Sequence, residues 1–184
     1  MNSVPMISHV SVGVRDVARA ATFYDAVLAT LGFKRVFIND FANAWGETFP
    51  TFWAQMPFDE KAPTPGNGVH VCFNAASKEG VDAFYAAGIK HGGTCDGAPG
   101  LRPQYTPNYY AAFLKDPDGN KIEALCFLPP TEMSQLEALL DHRSAFGALT
   151  FGPFAVGAFG GALGAWRCQA FRARVVIGPD GSWA

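Results

Sequence analysis

Two histidines head two copies of one pattern. His9-Val10 is followed by Phe23-Tyr24 and Gly32, and His70-Val71 by Phe84-Tyr85 and Gly93, at a constant offset of 61 residues without a gap. A repeat of this size is a statement about architecture. If the copies pack with pseudo-twofold symmetry, the two imidazoles approach each other, and paired imidazoles are ligands for a divalent ion. An acid of matching strand parity completes the set. In Lys121–Phe127, Ile122, Ala124 and Cys126 suit a covered face, which leaves Glu123 on the face that His9 and His70 occupy in their own strands. Two imidazoles and a carboxylate with open positions form a facial triad, able to hold a substrate's oxygens and polarise them. His9, His70 and Glu123 are therefore the expected metal ligands, with Glu123 also the expected proton carrier.

Other residues suit the surroundings of such a site. Trp53 is a candidate apolar wall, with core packing as its alternative. Arg102, in Gly100-Leu-Arg-Pro103, has the fork that pairs with a substrate carboxylate or phosphate, or with a local acid. Tyr105, Tyr109 and Tyr110 lead back toward the site; Tyr105 and Tyr110 are taken as substrate-binding. Cys72 shares the parity of His70, and nothing around it suggests an activated thiolate. The four cysteines form no Cys-x-x-Cys, so neither a zinc knuckle nor a redox pair is signalled. His91, near a helix end, and His142, outside the repeat, are read as solvated.

The elements that must position these residues follow from periodicity. Ile7–Val14 alternates as a strand, Asp16 can cap a helix bearing Ala20, Phe23, Tyr24, Val27, Leu28 and Leu31, and Gly32 ends it. Lys34–Ile38, Asn43–Gly46 and Thr51–Gln55 read as strands, and Ala62–Gly68 as a linker. The second copy has a strand at Val69–Phe73, Ser77 as cap, and a helix with Val81, Phe84, Tyr85 and Ile89. Asp96–Asn108 reads as a polar loop, and Tyr109–Leu114 and Lys121–Phe127 as strands joined by the turn signal Asp116-Pro-Asp-Gly-Asn120. Each half is strand, helix, then strands. The expected class is α+β, with modules 6–62 and 67–128 in a domain spanning 1–128.

His-Val-x-Val with Asp-Val-x-x-Ala-x-x-Phe-Tyr, then His70-Val71, then Asp116-Pro-Asp-Gly-Asn-Lys-Ile-Glu123, resembles the vicinal oxygen chelate superfamily of glyoxalases, extradiol dioxygenases, fosfomycin-modifying enzymes and bleomycin-binding proteins. The resemblance covers about residues 6 to 128. It implies a cup of mixed β-sheet built from two βαβββ modules, usually completed or flanked by a second chain, hence a homodimer. It also places His9, His70 and Glu123 where the family has its ligands. Its glyoxalases usually add an acid on the last strand of the first module. Laying Thr51-Phe-Trp-Ala against Lys121-Ile-Glu-Ala puts Trp53 there instead, and indole is no ligand; Glu47 is the substitute only if that register is shifted.

The function this implies is a glyoxalase-like, lyase or isomerase type of enzyme that uses zinc, nickel, manganese or iron(II) to polarise a small molecule bearing two neighbouring oxygens. The reaction would be isomerisation or addition through an enediolate or oxyanion. The alternatives are an iron(II) extradiol-type dioxygenase and a metal-free protein sequestering an antibiotic-like ligand.

A net charge of −2, from 14 basic and 16 acidic residues, offers no basic footprint for nucleic acid. No secretory signal opens the chain, so a cytoplasmic location is the expectation. Residues 129–184 stand outside the repeat as a Gly/Ala/Phe-rich extension, with a short helix at Thr131–Leu140. Ala145–Trp166 carries no charge but holds six glycines and Pro153, with arginines after it, so a membrane span is not expected.

Overall fold

The computed structural model of the chain describes residues 6–132. The extension, its helix and the uncharged stretch lie outside these residues or at their edge. The first module runs β1 (Val10–Gly13), α1 (Val17–Ala29), β2 (Lys34–Ile38), β3 (Ala42–Gly46) and β4 (Phe52–Gln55). The second runs β5 (His70–Asn74), α2 (Lys78–Lys90), β6 (Thr94–Leu101), β7 (Tyr109–Lys115) and β8 (Lys121–Phe127). Both helices start as their caps require. Asp16 accepts from the Arg19 amide at 2.9 Å and Ser77 from the Gly80 amide at 3.4 Å.

Each module makes its own four-stranded sheet, ordered β1-β4-β3-β2 and β5-β8-β7-β6, so the two-module α+β reading holds. The leading strand of each module is an edge strand, parallel to its neighbour: Ser11 pairs with Trp53, and Cys72 with Glu123. The helix-covered faces of the two sheets share one core. Phe23, Tyr24, Val27 and Leu28 of α1 join Val81 and Phe84 of α2 in it, and Phe52 meets Phe73 edge-on at 5.1 Å between ring centroids. The faces carrying His9 and His70 are the opposite ones, directed away from this core.

The turn between β7 and β8 locks the modules together. Asp116 accepts from the Tyr24 hydroxyl at 2.7 Å, from the amides of Asp118 and Asn120 at 2.9 and 2.8 Å, and from the Asn120 side chain at 2.9 Å. Asn120 also donates to the Gly13 carbonyl at 2.9 Å, and Asp118 meets Arg19 at 2.8 Å. A hairpin signal in one module thus reaches the strand and helix that open the other.

One element departs from expectation. Asp96–Leu101, read as the start of a loop, belongs to β6. Gly97, Pro99 and Gly100 are poor strand formers, but the strand absorbs them through two irregularities, at Cys95/Gly97 and Gly97/Gly100, in its pairing with β7.

Close approach decides the residue at position 46. A Cβ there would lie 2.0 Å from the Phe49 carbonyl oxygen, a backbone atom that cannot swing aside. Gly46→Ala is expected to destabilise the fold by about 1–3 kcal/mol through this overpacking, measured by urea denaturation. Unchanged stability would show that the β3–β4 turn yields without cost.

Candidate functional site

The second module gathers a polar cluster on its open face. Glu123, only 2% exposed, lies between Cys72 of β5 and Phe113 of β7. Its Oε2 is 3.2 Å from His70 Nε2, and its Oε1 accepts from the Tyr109 hydroxyl at 2.7 Å. Cys72 is the cross-strand partner of Glu123 on this face. Burial, followed by the charge of Glu123, pushes the Cys72 thiol well up, so it stays protonated. The Tyr109 hydroxyl is raised by burial and then by its bond to Glu123, so it acts as a donor. Around one carboxylate stand an imidazole, a phenol and a thiol.

The separation of His70 and Glu123 is informative. Neighbouring ligands that each lie about 2 Å from one ion sit roughly 3 Å from each other. The 3.2 Å contact between Nε2 and Oε2 matches that spacing without rearrangement. His70 is half-exposed, which leaves a way in.

The first module presents a different face. His9 is exposed, with Nδ1 3.4 Å from Ser8 Oγ and its ring edge-on to Trp53 at 6.4 Å. Trp53 also packs at a tilt against Phe37, with 4.9 Å between ring centroids, and donates to the Pro50 carbonyl at 3.3 Å. The strand register bears out the alignment of the two halves. Trp53 pairs with the position two after His9, as Glu123 pairs with the position two after His70. Glu47 is exposed in the β3–β4 turn and takes no part on this face.

Within one chain, His70 and Glu123 come together while His9 remains with the first module. Among the described residues of a single chain, no three His, Cys, Asp or Glu side chains gather into a metal-binding group.

The tyrosines need one correction. Tyr110, expected at the site, faces the helix side of β7; it is 6% exposed and donates to Asp82 Oδ1 of α2 at 2.7 Å. Burial, then that bond, pushes its hydroxyl up to about 12. Tyr109 takes the place expected of Tyr110, with Tyr105 packed against it at 5.1 Å. Parity was the available signal: Tyr109, Ala111, Phe113 and Lys115 pair with Phe127, Leu125, Glu123 and Lys121 and so share their face. Arg102 lies beyond β6, with its guanidinium 5.5 Å from the Phe113 ring centroid. His91, read as solvated, instead sits half-buried at the end of α2, with Nδ1 2.8 Å from the Ala87 carbonyl.

The family model described as Glyoxalase/Bleomycin resistance protein/Dioxygenase superfamily matches residues 6–124, well over half of the chain. The chain belongs to this superfamily. A crystal structure of a glyoxalase/bleomycin resistance protein from Albidiferax ferrireducens T118 is 44% identical, with 66% of this chain and 98% of that one covered and a TM-score of 0.61. A family enzyme from Burkholderia phytofirmans PsJN, at 22% identity, covers 66% and 98% with a TM-score of 0.53. A glyoxalase-related enzyme from Fulvimarina pelagi, at 17%, covers 66% and 88% with a TM-score of 0.53. These last two speak for the fold alone. No curated protein matches the chain. For a member of the glyoxalase/bleomycin resistance/dioxygenase superfamily, the two open faces are unequal in a definite way: His with Glu on one, His with Trp on the other. No helix among the described residues is long and apolar enough to cross a membrane.

Proposed function

We propose that this chain is a cytoplasmic, metal-dependent enzyme of the glyoxalase type, acting on a small molecule with two neighbouring oxygens, and that its site is assembled between two copies. The observation carrying this reading is the 3.2 Å pair of His70 and Glu123 on an outward face, with His9 on the outward face of the other module. A twofold dimer that lays the first module of one copy on the second module of the other would supply the missing imidazole twice over. It would also cover Phe37 and Phe127, large apolar side chains exposed beside these faces.

In this reading His70, Glu123 and the His9 of a second copy hold a divalent ion (zinc, nickel, manganese or iron(II)), which as a Lewis acid would draw electrons from the substrate's oxygens. Glu123 Oε1 is the atom assigned to hold the substrate proton, with the Tyr109 hydroxyl bonded to it as the group that follows the charge. Trp53 and Phe37 form an apolar wall that excludes water from one side.

Complementation tests the shared site. Dimers of His9→Ala and of Glu123→Ala should each lack metal. A heterodimer isolated through two different tags has one site with both lesions and one with neither. Its metal content is expected to reach about half that of the wild type. A heterodimer as empty as its parents would sink the shared site.

A further inference from the structure

The described arginines divide into two kinds. Arg15 and Arg19 meet Asp118, and Arg35 meets Asp25 at 3.0 Å. Arg102 forms no ion pair with a carboxylate among the described residues, yet its guanidinium is held in place. Nη2 donates to the Ala98 carbonyl at 2.5 Å and Nη1 to the Leu101 carbonyl at 3.1 Å, which folds the side chain back over its own strand. The plane comes to rest over Phe113. Two glycines make room for it. A Cβ on Gly100 would lie 3.1 Å from Nη1, and one on Gly97 would lie 2.8 Å from Phe113 Cδ2.

Immobilising a side chain as long as arginine costs rotamer entropy. Two carbonyls occupy two of its five N–H donors, and the rest keep the forked geometry that suits a carboxylate or phosphoryl group. A second cation stands on the same ring. Lys121 Nζ is 5.0 Å from the Phe113 centroid and 2.9 Å from Asp96, which anchors it. Phe113 is the cross-strand partner of Glu123, and such partners on one face lie roughly 5 Å apart at their Cβ atoms. The fixed cation therefore stands one side chain from the carboxylate of the site.

We infer that Arg102, assisted by Lys121, binds an oxyanion of the substrate, so that the molecule handled at Glu123 is an anion whose carboxylate or phosphoryl group lodges above Phe113. This names the substrate class of the site under Proposed function and rests on that reading for its link to catalysis. The anion subsite itself needs no metal.

The test uses the full-length protein freed of metal by a chelator, with benzoate and phenylphosphonate as probes and benzamide as the neutral molecule of similar shape, read by titration calorimetry. At least one anion should bind and benzamide should not. Arg102→Gln should weaken that binding by about 10-fold or more, the size expected for a lost charge-assisted hydrogen bond. Arg15→Gln, a surface control, should leave it unchanged. Arg102→Lys keeps the charge and removes the fork, so it should fall between the two and serves if the glutamine variant does not fold. The stronger of the two probes tells carboxylate from phosphoryl. Failure of both anions to bind, equal binding of benzamide, or undiminished binding by Arg102→Gln and Arg102→Lys would each overturn the inference. Metal stoichiometry, measured separately, keeps the two readings apart. Full metal content without Arg102-dependent anion binding refutes only this one, and the reverse refutes only the metal.

Discussion

Glu123→Gln should strip the protein of metal while leaving it folded, and at least as stable as the wild type. The side chain is almost wholly buried, and a buried ionised carboxylate carries a desolvation cost that a neutral amide of the same shape avoids. The amide oxygen can still accept from Tyr109, and the amide nitrogen can still face His70. What the substitution removes is the charge that a divalent cation requires. Changing a group that merely orients a ligand costs about 10- to 100-fold in affinity, so losing the ligand's charge should cost about 100-fold or more. Tyr109→Phe, which keeps the carboxylate and deletes one bond to it, should cost about 10-fold. Metal titration and thermal melting on the same samples give both readouts. A glutamine variant that retains metal at wild-type affinity, or one that unfolds, would show that Glu123 serves the fold and not an ion.

Much of this was legible along the chain because strands have a period of two. His70 and Glu123 could be placed on one face from parity alone, and laying the two halves together predicted Trp53 opposite Glu123, as the strand pairings bear out. The same period punishes a slip of one. Tyr109 and Tyr110 are adjacent, and choosing the second sent the expected site tyrosine to the helix side, where Asp82 holds it. The β6 strand was hidden because its glycines and proline are loop residues by composition, and only pairing with β7 makes them a strand. Phe113 and Lys121 carried no signal of their own. Nor does a repeat say where its copies face. Apolar helix-side residues in both halves predict that they pack, and the packing found is through those sides, which leaves the histidine faces outward. The proposed site therefore asks for convergence of His9 with His70 between two chains, where one chain does not bring them together.

Asp116→Ala should cost about 3–5 kcal/mol, more than any single change to the ion pairs around it. Asp116 is 3% exposed and serves four donors with two oxygens. Truncation leaves the Tyr24 hydroxyl, in a fully buried ring, and two turn amides without acceptors, and each orphan costs about 1–3 kcal/mol. Asp118→Ala is the instructive comparison. Its arginine partners are roughly half-exposed, so that variant frees them into water and should cost only about 1 kcal/mol from those pairs. The ranking matters for the site because this turn sets where β8 begins, and Glu123 is the third residue of β8. Urea denaturation of the two variants, with metal content measured below the transition, tests the ranking and its consequence. If Asp118→Ala proves as damaging as Asp116→Ala, the modules are held by charge at their surface, and the buried acceptor is not the residue that fixes β8 against the first module.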